Sequence, residues 1–412
     1  MVSLGGPVTE ADVLVIGGGP AGLAAALAAR EQGLSVVLAD RGQPPLDKAC
    51  GEGLLPDGVA ALQGAGVEPN PREAFPLRGI RFIEADLAAE ASFPEGHGLG
   101  LRRTRLHRLL AERAHDVGVK LHWRTQIDAD DPDRMRIGGR AVDCRWIVGA
   151  DGVQSRIRRA IGLAPAWTGP RRIGVRQHFR LRPWSDFVEV HWCRGTQAYV
   201  TPVGTDEVCI AVLGGGAAAR LADITTMFPA LARRLSGAER IGPMRGAVSA
   251  SLSLRAVSRG KVALVGDASG MVDAITGEGV SLALQQATAL GVAFGIGDLT
   301  RYEAAHRRML RRPLLMARLL LLMGAHDRLR HSALRALAER PRLFEHLLAV
   351  HLDRRNPAAR PFELCRLGLR LLQGGLPPLT EAQGAAGFAP ERQEVWIGSR
   401  EQYLGRSAER DS

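Results

Sequence analysis

Lysine is nearly missing from this chain: Lys48, Lys120 and Lys261 are three of 54 basic residues, and the other 51 are arginine. The net charge of +11 is spread along the sequence, and aromatics make up only 5% of it. A basic stripe interleaved with stacking rings is what nucleic-acid binding needs, so that class is excluded. Cysteine is sparse as well. Cys50, Cys144, Cys193, Cys209 and Cys365 lie far apart with no CxxC pair, which opposes a metal site and a disulfide framework and fits a reducing cytoplasm. Long apolar runs are lacking too. The longest, from Pro313 to Ala325, is broken by Arg318 and falls short of a bilayer. The first apolar run belongs to a motif rather than a leader, so a soluble, cytoplasmic protein is expected.

That motif is DVLVIGGGPAGLAAALAAREQGLSVVLADR, Asp12 to Arg41. An apolar strand runs into Gly17, Gly19 and Gly22 at GxGxxG spacing, a helix of small residues follows, and a second strand ends on Asp40. Gly17 permits the tight turn, Gly19 lets backbone approach a pyrophosphate, and Gly22 lets helix and strand pack closely. The helix N-terminus points free N–H groups at the phosphates, and Asp40, with Arg41 beside it, faces a ribose. Strand, helix, second strand and terminal acid together read as a dinucleotide site.

Periodicity then suggests strands between Gly79 and Phe93, a helix from Leu106 to Val117, and strands at Lys120–Arg124 and Arg145–Gly149. A strand-rich stretch follows from Ile173 to Leu213, and the buried strand at Lys261–Val265 leads to a helix from Gly279 to Phe294. Nucleotide-type segments thus flank a β-rich one. The expected fold is α/β with two domains: a discontinuous Rossmann-like domain (10–75, 100–165 and 255–300) and an inserted β-rich substrate domain (76–99 and 170–254). C-terminal helices (301–372) and a mobile tail (373–412) follow. GGG from Gly214, permissively GxGxxA, reads as a glycine turn.

Two further motifs narrow the cofactor. IVGADGVQSRIRRAIG delivers Asp151-Gly152 to a turn from an apolar strand, and VALVGDASGMVDAITGEGVSLALQQA ends a strand on Gly266-Asp267 before Gly277-Glu278-Gly279 opens a helix. GxGxxG, DGxxSxxR and a late GD segment in this order resemble the flavoprotein family with the p-hydroxybenzoate-hydroxylase fold, over about residues 10 to 300. The resemblance implies FAD, with Gly17, Gly19, Gly22, Asp40 and Arg41 at its ADP half. It also implies Asp267 on ribitol or pyrophosphate oxygens and the Gly277–Gly279 helix start at the flavin's pyrimidine end. Asp151 and Arg103 (or Arg102) complete the set, with NAD(P)H as the implied electron donor.

The loops CGEGLLP, Cys50 to Pro56, and TGEGV, from Thr276, resemble the geranylgeranyl-reductase-like branch rather than typical aromatic hydroxylases. Cys50 is the candidate proton donor, Glu278 a candidate acid/base, and His178, sharing strand parity with Arg176, a candidate substrate contact. The expected function is an FAD-dependent monooxygenase acting on an apolar aromatic or polyketide-like molecule, ranked first on its frequency across the fold. An alkene reductase is the alternative. Halogenation lacks a WxWxIP segment and a placed lysine, and a non-catalytic flavin protein closes the range. Peripheral membrane contact through the Leu/Arg helices after Arg301 stays open, as does a monomer or homodimer.

Overall fold

The computed structural model describes residues 9–129, 131–215 and 224–352; the expected tail lies outside them. Five segments form the parallel part of the first sheet. Their order is Val262–Leu264, Arg140–Gly149, Thr9–Ile16, Val36–Ala39 and Lys120–His122, with Ser258–Arg259 antiparallel at one edge. Val13, Leu14, Val15, Val37, Leu38, Ile147, Val148, Ala263 and Leu264 are completely buried, as a parallel sheet covered on both faces requires. One face carries the helices Pro20–Glu31 and Gly279–Ile296, which approach closely where Gly291 meets Ala28.

The register aligns the strand ends. Ile16 pairs with Gly149 and Ala39, and Gly149 pairs with Leu264. The turns that follow, Gly17–Gly19, Asp40, Asp151-Gly152 and Gly266-Asp267, therefore emerge side by side at the carboxyl edge, where open α/β sheets bind ligands. Three motifs far apart in the chain meet because their strands are neighbours.

Among the described residues the second sheet has seven strands, in the order Glu239–Ser253, Ala166–Arg180, Glu207–Gly214, Thr196–Gly204, Phe187–Cys193, Gly79–Glu84 and Leu87–Ser92. One face packs around Phe179, Val200, Val208 and Ile210 against Phe228 and Leu231. The other face turns Gly174, Arg176, Ala211 and Tyr199 toward the first sheet and its cavity. Beyond the cavity that face is covered by the helices Leu299–Ala325, Asp327–Ala338 and Pro341–His351. Among the described residues one helix, Gly279–Ile296, is long and apolar enough to cross a membrane; 56% of it is buried within the protein.

Candidate active site

A cavity of about 680 Å³ runs between the two sheets, from Gly17, Gly19 and Asp40 to Cys50, Tyr199, Gly277 and Gly279. At the first end each glycine has its own geometry. Gly17 sits at φ +110°, and a Cβ there would lie 2.4 Å from the Ala150 carbonyl oxygen; at Gly22 it would lie 1.9 Å from the Gly17 oxygen. Over Gly19 the space is open. The helix that follows has no side-chain cap and no acid in its first turn, so its N–H groups are free toward the cavity. Asp40 is fixed at this mouth by the N–H groups of Gly18 and Gly42, each donating at 2.6 Å.

Asp151 accepts the N–H of Arg156 at 2.6 Å through Oδ2, while its Oδ1 is buried without a protein partner. Arg103 lines the cavity, and its Nε is likewise buried and unpartnered. Arg102 turns away, to Glu207 at 3.1 Å and His178 at 3.3 Å. Arg41 lines the cavity and donates to the Ile127 carbonyl. Asp267 forms a 2.6 Å ion pair with Lys48 across the cavity. Its turn is held from behind, where Gln286 Oε1 accepts the Gly266 N–H at 2.7 Å and His306 Nε2 lies 2.9 Å from Ser269 Oγ. Burial pushes His306 down to about 4. Open space over glycine, two uncapped helix starts and orphaned polar atoms along one elongated cavity fit FAD.

The reaction end is assembled from the second sheet and the loops that face it. Cys50 lines the cavity on a loop whose next charged residue, Glu52, is buried. Glu52 Oε2 is 2.5 Å from His178 Nε2, and Asp47 is 2.5 Å from Arg176. The glycine helix start is steadied by a second cluster. Asp273 is ion-paired with Arg172 and accepts the Ile275 N–H at 2.9 Å, and Arg172 also donates to Gln197 at 2.7 Å. Tyr199 donates to the Ile275 carbonyl at 2.8 Å, and burial raises its phenol well above the usual range. Sequence reasoning missed Asp47, Lys48, Glu52, Arg172 and Asp273 as site residues. The scarcity of lysine was the one signal that could have singled out Lys48.

Two expected catalytic residues take other places. His178 is 1% exposed and lies behind Arg176, off the cavity wall. Glu278 sits at the helix N-cap, but its side chain turns away, 3.2 Å from His351 on the helix Pro341–His351. Burial works to lower His351, yet the hydrogen bond and charge of Glu278 outweigh it and raise the imidazole. Asp57 joins this cluster, and burial raises its carboxyl. Glu52, His178 and Cys209 bring their ligand-type atoms within 4.8 Å of one another. Two guanidinium groups point at the same histidine, and burial holds the Cys209 thiol well above its ordinary value, so this donor set does not suit a cation.

Residues 10–204 match the family model of the FAD binding domain. Menaquinone reductase of Mycolicibacterium smegmatis is 29% identical over 330 residues, covering 72% of this chain and 79% of the relative. Among solved structures, a flavoprotein/dehydrogenase from Cytophaga hutchinsonii superposes with a TM-score of 0.73 at 20% identity, covering 89% of this chain and 99% of its own. A geranylgeranyl bacteriochlorophyll reductase-like protein from Thermoplasma acidophilum gives 0.70 at 18% identity, covering 88% and 100%. The three motifs gather at one sheet edge around the cavity, within and just beyond the part that matches the FAD binding domain, and the chain is an FAD-dependent oxidoreductase.

Proposed function

We propose that this oxidoreductase reduces a carbon–carbon double bond in an apolar, isoprenoid-type substrate. The observation that carries the reading is a thiol, Cys50, on the cavity wall that also holds the uncapped helix start at Gly279. When bound, FAD supplies the hydride for one carbon of the double bond. Cys50 holds the proton for the other carbon: its S–H bond breaks as the new C–H bond forms, and solvent reprotonates the thiolate. The free N–H groups of the Gly279 helix favour negative charge at that end of the cavity. Val175, Val212, Leu213, Val248 and Val272 give the substrate space its apolar lining. The similarity to a menaquinone reductase supports the same class of chemistry and reverses the ranking taken from frequency across the fold.

NAD(P)H is the proposed electron donor, and the cytoplasmic side the proposed compartment. Peripheral contact with lipid belongs to the same reading. Leu315, Leu319 and Leu322 are exposed at i, i+4 and i+7 on one helix, with Arg318 on that face. Turnover of a polyprenyl quinone under strict anaerobiosis tests the proposal. A product with one isoprenoid double bond saturated, formed without oxygen, supports it; a quinol with the chain unchanged overturns it, and NAD(P)H consumption that needs both substrate and O2 assigns the protein to the hydroxylases.

A further inference from the structure

We propose that His178 is a positioning residue: acting through Glu52, it holds the loop that presents Cys50 to the cavity. The inference rests on the reading of Cys50 as proton donor for its consequence in turnover, but not for its geometry.

Glu52 has left-handed backbone at φ +60°, a strained conformation for a residue with a side chain, which persists only where surroundings impose it. Those surroundings are specific. The Arg103 N–H donates to Oε1 at 3.0 Å, His178 Nε2 lies 2.5 Å from Oε2, and the Leu101 N–H donates to the Glu52 carbonyl at 2.9 Å. The carboxylate is 1% exposed, so no water competes for these bonds.

The hydrogen on His178 can be assigned from its neighbours. Arg176 Nη1 and Arg102 Nη2 stand 3.0 and 3.3 Å from Nδ1, and a guanidinium only donates. Nδ1 therefore accepts, and Nε2 carries the ring hydrogen into Glu52. Both nitrogens are committed, which leaves the ring no proton to exchange with substrate. Arg102 is itself held by Glu207, so the tautomer is set by a chain of charges rather than by one contact.

The other end of the loop is tied to the same strand. Arg176 donates to Asp47 Oδ1 at 2.5 Å, and Arg245 donates to Oδ2 at 3.1 Å. Cys50 thus lies between two anchors, residues 47 and 52. Within the loop the Glu52 N–H points at Cys50 Sγ at 3.4 Å, and Cys209 Sγ donates to the Cys50 carbonyl at 3.8 Å. Release of Glu52 frees the thiol from the Glu52 N–H and from its angle to the cavity.

The test is the rate at which iodoacetamide alkylates Cys50 in the FAD-loaded protein, with Cys50→Ala subtracting the other thiols. His178→Phe is expected to accelerate alkylation about tenfold, the shift set by losing one hydrogen bond to a buried charge. His178→Gln, whose amide N–H replaces the donor, is expected to return within about twofold of the original rate, because the same bond is remade. An unchanged rate in His178→Phe overturns the proposal, and so does a Gln variant as reactive as Phe. Should His178→Phe fail to fold, Asp47→Ala at the less buried anchor decides: an acceleration of about threefold supports the clamp, and the original rate sinks it. Turnover separates the two readings. If Cys50→Ala reduces substrate normally, the proton-donor assignment falls while the alkylation rates still judge the clamp.

Discussion

The two ends of the cavity are built by opposite means. At the first, backbone leads: Gly22 packs against the Gly17 carbonyl, Gly17 against the Ala150 carbonyl of the neighbouring strand, and helix N–H groups face the cavity. At the second, polar and charged side chains reach from one strand of the second sheet to distant loops. His178 holds Glu52, Arg176 holds Asp47, and Arg172 holds Asp273, each pair more than 100 residues apart. A backbone cradle is rigid and indifferent to chemistry. A side-chain clamp can be changed one residue at a time, so the reaction end is the place where relatives of one fold can diverge.

Substitutions can break this contrast, starting with the largest effect. Gly22→Ala forces a methyl onto the Gly17 carbonyl, so we expect loss of folded, yellow protein, a cost above about 3 kcal/mol. Gly19→Ala has open space at its Cβ, so it should fold and lose only flavin affinity, read from retained flavin absorbance. Equal damage at both positions would refute the division of labour. Next, Arg172→Met leaves Asp273 buried without its cation and should lower stability by about 3–5 kcal/mol in denaturant unfolding. Cys50→Ala should instead keep its flavin and thermal midpoint while kcat falls about a hundredfold or more, as for a lost general acid.

The smallest effects are pH-dependent and opposite in sign. His306 titrates at about 4 in the folded protein against an ordinary 6.5, so its neutral form is favoured. Its stabilisation is full above 6.5 and drains as pH falls toward 4, to a limit of about 3 kcal/mol. His351 is raised above 6.5, so its contribution is complete below that value and is lost as pH climbs through the raised one. Thermal midpoints measured against pH should lose their acid limb in His306→Gln and their alkaline limb in His351→Gln. One shared limb would show that the two ends are not independent.

The sequence was most readable where structure is local. GxGxxG, DG and GD each follow their own strand, and only the strand order had to be found. Arg103 illustrates a boundary effect. The helix expected from Leu106 begins at Arg103, which puts that arginine in the first turn, at the cavity. The shared parity of Arg176 and His178 was legible, since both side chains lie on the cavity-facing side of their strand. What stayed hidden was depth: Arg176 stands between His178 and the cavity, and no spacing rule reports which of two residues on a face is in front. Glu278 failed for a related reason. Its backbone caps the helix at the cavity, but its side chain answers to His351, 73 positions later in the chain and on a helix that periodicity could not dock.

The scarcity of lysine has a practical consequence. Lys120 is exposed and Lys261 pairs with Asp133 on the outside, which leaves Lys48 as the lone lysine on the cavity wall among the described residues. Anything that fills the cavity shields that amine. Acylation of Lys48, read by peptide mass against the other two lysines as internal standards, would therefore serve as an occupancy gauge that needs neither colour nor catalysis.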